Sequence, residues 1–284
     1  MTKSGAGPMT KSSAGPKIDP NIIEGLLSAK FPRVNYLTHI DNNRRLVYVE
    51  TPKVACTSIK KFMMDQYVGG VFDLPNVNDV HRREISPLKQ LTTLSPEEAK
   101  AIWSKEYRRF SFVRNPFARL LSGYLDKLVT NEFERQRHLP MMGFAPDSKP
   151  TLVEFLERLV KKSDAERDIH FATQSSLLMV DAVEYDYIGR FEGFKEDFLR
   201  LQATFYGIDH PTESYEVFGR HHASNAHEKI FQYYGPKEIE LVREIYQTDF
   251  RLFGYSEAIT QASHCEQPVK VEQLSLKLPS AGSI

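Results

Sequence analysis

Two strand-loop-helix units constrain the fold of this chain more than any other feature of its sequence. In the first, the apolar run Leu46–Val49 precedes a polar turn and a helix; in the second, residues 110–113 precede a helix that begins after Asn115. Both helices carry apolar residues at the spacing of one helical face, which indicates packing against a sheet. The stripes are Ile59, Phe62, Met63 and Tyr67 in the first helix and Phe117, Leu120, Leu121, Tyr124, Leu125 and Leu128 in the second. Repeated units of this kind predict an α/β domain.

Capping signals and apolar spacing mark further helices around this sheet. Two begin with capping boxes at Ser95 and Thr151, one ends at Gly207, and one, predicted to be the last, begins at Pro236. The apolar segment 185–188 predicts an additional strand. Together these elements predict a P-loop-like, three-layer α/β domain with a central, mostly parallel sheet flanked by helices.

The charge balance and the cysteine count exclude several classes of protein. The chain has 284 residues with 37 Lys+Arg and 37 Asp+Glu, and this zero net charge argues against a general nucleic-acid-binding protein. Its apolar runs are shorter than the roughly 20 residues of a membrane span. Cys56 and Cys265 cannot form a disulfide framework, and the N-terminus lacks the apolar core of a signal peptide. We therefore expect a cytoplasmic protein without a membrane span or a nucleic-acid partner, of undetermined oligomeric state.

Both ends of the chain are predicted to be disordered. Residues 1–16 form a tandem repeat, MTKSGAGP followed by MTKSSAGP, whose small and polar residues cannot offset the entropy of ordering. Residues 256–284 have no sustained apolar period. The predicted organisation is therefore a leader over residues 1–20, one folded domain over 21–255 and a tail over 256–284.

The turn between the first strand and its helix is a candidate anion site. Free backbone N–H groups and the positive end of the helix dipole meet at a helix start, and here Lys53, Thr57 and Ser58 add a charge and two hydroxyl groups. The G-x-x-x-x-G-K-[ST] pattern of ordinary ATP and GTP enzymes is absent from this turn. From this loop alone, Lys53 could equally be a solvated turn residue, and the two hydroxyl groups could merely cap the helix.

A second candidate anion site follows the second strand. Arg114 comes directly after that strand, at the sheet edge where open α/β folds bind ligands, and Ser122 lies two turns into the next helix. An arginine fork beside a hydroxyl group can clamp a phosphate. Alone, Arg114 could instead form a salt bridge and Ser122 could be a small packing residue. Two such loops in one sheet favour a nucleotide site.

The two loops together resemble the paired phosphosulfate and 3′-phosphate motifs of the family-2 carbohydrate sulfotransferases. The similar segments are TPKVACTSIK at residues 51–60 and FVRNPFARLLSGY at residues 112–124, in the same order and at a matching separation. Similarity continues at residues 186–192 and 249–255, so it covers residues 46–255. The chain is identified as a member of this family and resembles its soluble, bacterial-type members.

The resemblance implies 3′-phosphoadenosine 5′-phosphosulfate (PAPS) as sulfuryl donor, the bisphosphate PAP as product, and a hydroxyl acceptor, most simply on a carbohydrate. It implies that Lys53 bridges the 5′-phosphate and the sulfuryl group, and that Arg114 and Ser122 hold the 3′-phosphate. A loop that contains Arg220 and Asn225 is expected to close over the donor. The phosphosulfate loop corresponds to Pro52, Lys53, Val54, Ala55, Cys56, Thr57 and Ser58.

This chain departs from the family pattern at three points. Ser58 stands where many relatives have another polar residue, and Gly123 stands where alanine is common. We expect neither change to affect the donor assignment. The N-terminal membrane anchor of the Golgi relatives is missing from this sequence, which argues against a secretory location.

His81 and His170 are the candidate general bases. An acceptor hydroxyl must lose a proton, and a histidine with a pKa near its ordinary value suits this task. His81 is the first choice because it lies in the stretch where related sulfotransferases carry a candidate base. His170 is the second, since its segment resembles the acceptor side of the family. Either could instead be a structural or surface histidine. Sulfuryl transfer requires no metal, and we predict none.

Two alternatives to a sulfotransferase stay open from the sequence. A nucleotide kinase or phosphatase could use a similar phosphate cradle, and a catalytically silent module could hold PAP as a structural ligand. A phosphatase-like Cys-x5-Arg pattern would need arginine at position 62, where Phe62 stands. Cys56 is therefore predicted to contribute only its amide rather than to act as a nucleophile.

Overall fold

A four-stranded sheet forms the centre of the computed structural model, which describes residues 32–211, 226–262 and 269. The strands lie in the sheet in chain order, with one antiparallel pair, β1 with β2, and two parallel pairs, β2 with β3 and β3 with β4. The predicted mostly parallel sheet is therefore confirmed. The strands are β1 (Thr38–Asp41), β2 (Leu46–Val49), β3 (Arg108–Val113) and β4 (Tyr187–Arg190).

Helices surround this sheet, joined by short turns of other helical types. The α-helices are α1 (Pro32–Leu37), α2 (Cys56–Val68), α3 (Pro96–Ile102), α4 (Pro116–Tyr124), α5 (Glu132–His138), α6 (Leu152–Leu159), α7 (Gln174–Leu177), α8 (Phe194–Tyr206), α9 (Ala226–Tyr233), α10 (Pro236–Ile245) and α11 (Gln247–Phe253). The 3₁₀ turns are Val77–His81, Leu91–Thr93, Pro140–Met142 and Ile259–Gln261, and a π-helical turn covers Leu125–Thr130. None of these helices, within the described part of the chain, is both long and apolar enough to cross a membrane.

The predicted capping signals form the helix ends that they indicate. Ser95 and Thr151 complete capping boxes with the glutamates three residues later, and the Asn115 side chain accepts a hydrogen bond from a first-turn amide of α4. Gly207 ends α8 with φ 65°, a left-handed conformation that glycine adopts without strain. The helix that begins at Pro236 is not the last one, because α11 follows it directly.

Two strand assignments differ from the sequence-based prediction. The sequence predicts no strand at Thr38–Asp41, which contains one strongly apolar residue, yet all four residues are buried against β2 and the surrounding elements. The fourth strand begins at Tyr187 rather than at Tyr185, whose hydroxyl donates to the carbonyl of Leu178 and belongs to the preceding turn. In both cases tertiary contacts, and not local periodicity, decide where the strand lies.

Both faces of the sheet are buried under helices, which produces three layers. Along β2 the side chains alternate: Leu46 and Tyr48 join the cluster beneath α2 and α8, whereas Val47 and Val49 join the cluster beneath α4, α6 and α10. A strand that is covered on both faces requires apolar residues in both registers. The predicted three-layer α/β architecture is confirmed.

The described residues extend the core beyond the predicted end of the domain at residue 255. Ala262 and Val269 are buried and belong to the larger apolar cluster. The predicted leader at residues 1–20, the loop with Arg220 and Asn225, and most of the predicted tail lie outside the described residues. The predictions made for those segments stay predictions.

Candidate active site

The loop between β2 and α2 has a strained backbone at two positions. Lys53 has φ 71° and Ala55, at the N-cap of α2, has φ 53°, both in the left-handed region that residues other than glycine rarely adopt. Each such residue costs about 1–3 kcal/mol, and this strain concentrates at functional sites. Alternation of right- and left-handed residues turns successive backbone N–H groups towards one point, which forms an anion-binding concavity. This loop, with its two left-handed residues, is therefore the candidate anion cradle.

Buried contacts hold the strained loop in place. Arg119 is 1% exposed, and its Nε donates to the carbonyl of Pro52 at 3.1 Å. Its two other nitrogens donate to the carbonyls of Ile169 and Ala172 at 3.0 and 2.8 Å. Arg119 and Ser122 lie outside the apolar stripe of α4, yet both side chains are buried because further segments cover that side of the helix. Arg119 thus fixes the backbone of the loop at Pro52 to the segment that contains Ile169 and Ala172.

Arg114 joins the end of β3 to this loop. Its Nη1 donates to the carbonyl of Lys53 at 3.2 Å, and its guanidinium carbon lies 4.1 Å from the centre of the Phe191 ring. Its Nε is buried and has no hydrogen-bond partner among the described residues. Burial lowers the pKa of Arg114 to about 10, and the charge of Glu192 opposes this shift, so the side chain stays cationic at neutral pH. The structure therefore brings the two predicted loops together at Arg114. No acceptor among the described residues engages the Nε–H of this arginine, which stays available to a ligand.

Lys53 is paired with a carboxylate that the sequence analysis did not single out. Its Nζ donates to Oδ2 of Asp126 at 3.2 Å, and Lys127 lies 3.3 Å from the same oxygen. Burial lowers the pKa of Lys53, and Asp126 opposes that shift. Asp126 and Lys127 belong to the π-helical turn Leu125–Thr130, a type of helix that often occurs at functional sites. The cation of the loop is thus held in a partly exposed ion pair.

His81 lies at the end of a 3₁₀ turn and contacts α2 through both ring nitrogens. Its Nε2 is 3.1 Å from Oγ1 of Thr57, and its Nδ1 is 2.7 Å from Nζ of Lys60. Burial, followed by the charge of Lys60, lowers the pKa of His81 to about 4. The imidazole is therefore neutral at physiological pH, and neither nitrogen is free in this arrangement.

His170 is oriented by a neighbouring carboxylate. Its Nδ1 lies 2.6 Å from Oδ1 of Asp168, and its backbone N–H donates to the same oxygen at 2.9 Å. Burial lowers the pKa of His170, Asp168 opposes this, and the charges of Lys127 and Lys53 lower it further, so these lysines lie within electrostatic reach. The other ring nitrogen, Nε2, has no hydrogen-bond partner among the described residues.

Gly123 accounts for one of the departures from the family pattern. A Cβ atom at this position would lie 3.1 Å from a ring carbon of Phe171 and 3.4 Å from the carbonyl oxygen of His170. Such contacts are tighter than ordinary van der Waals packing. Glycine therefore lets α4 approach the segment that carries His170 more closely than alanine would.

Two groups of side chains in the described residues have the composition of metal sites. They are Glu50 with Cys56 and His81, and His138 with Asp168 and His170. In the second group, the 2.6 Å contact between Asp168 and His170 is a hydrogen bond, because two ligands of one tetrahedral zinc lie about 3.3 Å apart. In the first group, burial and then the charge of Glu50 raise the pKa of the Cys56 thiol to about 12, which disfavours the thiolate. The predicted absence of a metal stays a prediction.

Comparison with known proteins identifies the family. The sequence profile of the Sulfotransferase family matches residues 37–256. The chain belongs to the sulfotransferase family. Among its relatives, carbohydrate sulfotransferase 11 of Rattus norvegicus is 28% identical over 245 residues, which cover 78% of this chain and 68% of the rat protein. Carbohydrate sulfotransferase 14 of Danio rerio is 32% identical over 179 residues, which cover 58% of this chain and 47% of the zebrafish protein. A search of solved structures found no match.

The sulfotransferase assignment confirms the resemblance inferred from the two motifs and makes the chain an enzyme of sulfuryl transfer. Members of this family take the sulfuryl group from PAPS and release PAP. The site fits such a donor at two points: a strained loop follows β2, and beside it lies the Nε of Arg114, which no described residue engages in a hydrogen bond. Ser122 is buried in α4, two turns after Asn115.

Four residues of this sulfotransferase site were missed from the sequence although three of them had a detectable signal. Asp168 stands two residues before His170, and Lys60 stands three residues after Thr57 on the same helical face. Asp126 follows Ser122 by one helical turn. Glu50 is 2% exposed, and the sequence gives no sign that a charged residue at a strand end is buried.

Proposed function

We propose that this sulfotransferase moves the sulfuryl group of PAPS to a hydroxyl group of a carbohydrate. The observation that carries the proposal is the loop with left-handed residues at Lys53 and Ala55, where Nη1 of Arg114 donates to the carbonyl of Lys53 at 3.2 Å. The carbohydrate acceptor rests on the relatives, which are named carbohydrate sulfotransferases 9, 10, 11, 12 and 14. The cytoplasmic location stays a prediction of the sequence.

The chain offers separate groups for the two ends of the donor. The amides of the cradle and the first turn of α2 would hold the phosphosulfate, because a helix start presents free N–H groups and a positive dipole. Arg114 would hold the 3′-phosphate, with Ser122 as a hydroxyl partner. PAPS supplies an activated sulfuryl group whose departure leaves negative charge on a bridging oxygen. Lys53 would stabilise that charge after it exchanges Asp126 for the donor.

His170 is the better candidate for the general base. Asp168 is ionised: burial raises the pKa of its carboxyl, but the neighbouring imidazoles of His138 and His170 outweigh burial and hold that pKa well below the usual range. The carboxylate must accept the Nδ1 proton of His170, which leaves the lone pair of Nε2 free to take a proton. His81, the first choice from the sequence, has both ring nitrogens engaged. We therefore assign proton removal to His170, with Asp168 as its positioning residue.

Calorimetry with PAP, followed by transfer of labelled sulfate from PAPS to a panel of carbohydrates, tests the proposed function. We expect binding of PAP in preference to ADP and label in at least one carbohydrate, with no dependence on Mg²⁺. Label confined to non-carbohydrate acceptors would overturn the acceptor class. Binding of PAP without transfer to any acceptor, even in host extract, would indicate a catalytically silent module.

Arg114→Ala should weaken PAP binding by about 10- to 100-fold, because a charge-assisted hydrogen bond to phosphate is lost. The matched control is Arg109→Ala near the start of the same strand. Arg109 is also a buried arginine that donates to backbone carbonyls, those of Ile102 and Glu184, but at the opposite end of β3. Its loss should reduce stability and leave the PAP dissociation constant unchanged. Equal weakening in both variants would argue against a 3′-phosphate contact at Arg114.

A further inference from the structure

A series of hydrogen-bonded polar side chains, most of them buried, leads to the first turn of α2. Oε2 of Glu50 lies 2.9 Å from both Nε2 of His39 and Nζ of Lys60. Nζ of Lys60 also lies 2.7 Å from Nδ1 of His81, whose Nε2 lies 3.1 Å from Oγ1 of Thr57. The side chains of His39, Glu50 and Lys60 are 1%, 3% and 1% exposed. Solvent therefore cannot replace these contacts, and each group depends on its neighbour.

The direction of every hydrogen bond near His81 follows from the chemistry of Lys60. An ammonium group can only donate, so Nδ1 of His81 must be the nitrogen that carries the lone pair. A neutral imidazole then has its hydrogen on Nε2 and donates it to Thr57. The threonine hydroxyl, having accepted from His81, keeps its own hydrogen to give elsewhere. Thr57 is the second residue of α2, beside the anion cradle.

The hydrogen-bond directions at the other end of this series, at Arg83 and His39, follow from the same argument. The guanidinium of Arg83 can only donate, and its Nη1 contacts Nδ1 of His39. His39 must then carry its hydrogen on Nε2 and donate to Glu50. Burial, followed by the charge of Arg83, lowers the pKa of His39 to about 3, so this ring is also neutral at physiological pH. Glu50 accepts from both His39 and Lys60, and Lys60 donates to both Glu50 and His81, so every contact in the series pairs a donor with an acceptor.

We propose that Lys60, supported by Glu50, is a positioning residue of the donor site that locks His81 in the tautomer with hydrogen on Nε2 and thereby aims the Thr57 hydroxyl at the phosphosulfate. The inference rests on the proposed function, because the donor supplies the anion that Thr57 meets. It gives His81 a role in holding the donor instead of taking the proton of the acceptor. The 5′-phosphate that PAP shares with PAPS is the group that this hydroxyl would contact.

The tautomer of His81 can be measured directly in the full-length wild-type protein. Long-range ¹H–¹⁵N correlation of the histidine rings distinguishes a protonated from an unprotonated nitrogen, and His81→Gln assigns its signals. We expect hydrogen on Nε2 and none on Nδ1. Hydrogen on Nδ1, or a rapid mixture of both tautomers, would overturn the proposal. This measurement decides the point even if a substitution of the buried Lys60 prevents folding.

Variants then connect the tautomer to donor binding. Lys60→Met should abolish the fixed tautomer and weaken PAP binding about 10-fold, and Thr57→Val should weaken it by a similar factor. The double variant should be no weaker than either single one, since both remove the same hydrogen bond. Thr57→Ser keeps the hydroxyl and should restore wild-type affinity. Additive losses, or a Lys60→Met protein that binds PAP normally, would contradict the proposal.

Lys61→Met is the matched control for Lys60→Met. Lys61 is the next residue of α2, is 7% exposed, and its Nζ donates to Asp65 at 2.6 and 2.7 Å. Its loss should cost stability without a change in the His81 spectrum or in PAP affinity. Wild-type protein that binds no PAP would contradict the proposed function itself, whereas normal wild-type binding with additive losses in the variants would contradict this inference alone.

Discussion

Lys53→Ala should lower kcat by about 10²- to 10³-fold, with a much smaller loss of PAP affinity. The lysine sits in the strained cradle, where its ammonium can reach the bridging oxygen that gains charge as the sulfuryl group leaves. Removing one preorganised donor to a developing oxyanion costs a factor of this size in other enzymes. The amides of the cradle and Arg114 remain in the variant, so the bisphosphate should still bind. Single-turnover rates with saturating PAPS, beside calorimetry with PAP, separate the two effects.

The ion pair of Lys53 sharpens this prediction. Nζ lies 3.2 Å from Asp126, so the lysine must leave this partner when it meets the donor. Substitution of Lys53 also leaves Asp126 with Lys127 alone, at 3.3 Å. Lys61→Ala removes another buried lysine, one bound to Asp65, and should retain wild-type kcat. A Lys53→Ala enzyme with normal kcat, or one whose whole defect is lost PAP affinity, would exclude Lys53 as the group that stabilises the leaving oxygen.

The fold was predictable where local sequence decides the structure. The Asn115 cap and the apolar stripe of α4 as far as Tyr124 are formed as predicted, whereas Leu125 and Leu128 of the same stripe are buried in the π-helical turn that follows. Strand β1 was missed because its residues become buried only through contacts with distant segments. Apolar periodicity carries no information about such contacts.

The donor loops were predictable, but the electrostatics around them were not. Lys53 and Arg114 stand in recognisable motifs, whereas the partner of Lys53 comes from a π-helical turn 73 residues later. The choice between His81 and His170 depends on whether the contact of Nδ1 is an ammonium or a carboxylate. A sequence shows two histidines in polar segments; only the fold shows which one keeps a free lone pair.

His170→Ala should lower kcat by about 10²- to 10⁴-fold at neutral pH, the range that general-base catalysis contributes, with PAP affinity unchanged. His81→Gln should instead weaken PAP binding, since its ring serves the donor side. This pair of outcomes separates the roles of the two histidines. If His81→Gln loses the chemical step with PAP binding intact while His170→Ala is nearly normal, the base is His81 and our assignment is wrong.

Asp168→Asn tests the orientation of the same base through the pH profile of kcat/KM. A base works when it is neutral, so activity falls as pH drops through its pKa, and burial places that limb below the ordinary value of 6.5. Asp168 opposes this shift, so its loss should lower the pKa of His170 further and move the acid limb to lower pH. The rate on the plateau should fall as well, because an amide can also stabilise the wrong tautomer.

The control for Asp168→Asn is Asp164→Asn, a carboxylate of the same segment. Asp164 accepts hydrogen bonds from the backbone and hydroxyl of Thr173 at 2.8 and 2.7 Å and holds Arg167 at 3.0 Å. Its loss should reduce stability and leave the acid limb where it is in the wild type. An acid limb that moves upward in Asp168→Asn, or that moves equally in both variants, would mean that Asp168 does not orient the base. A downward shift confined to Asp168→Asn ties the proton-accepting nitrogen to His170, because Nδ1 of His170 lies 2.6 Å from that carboxylate, whereas the nearest nitrogen of His138 lies 3.7 Å from it.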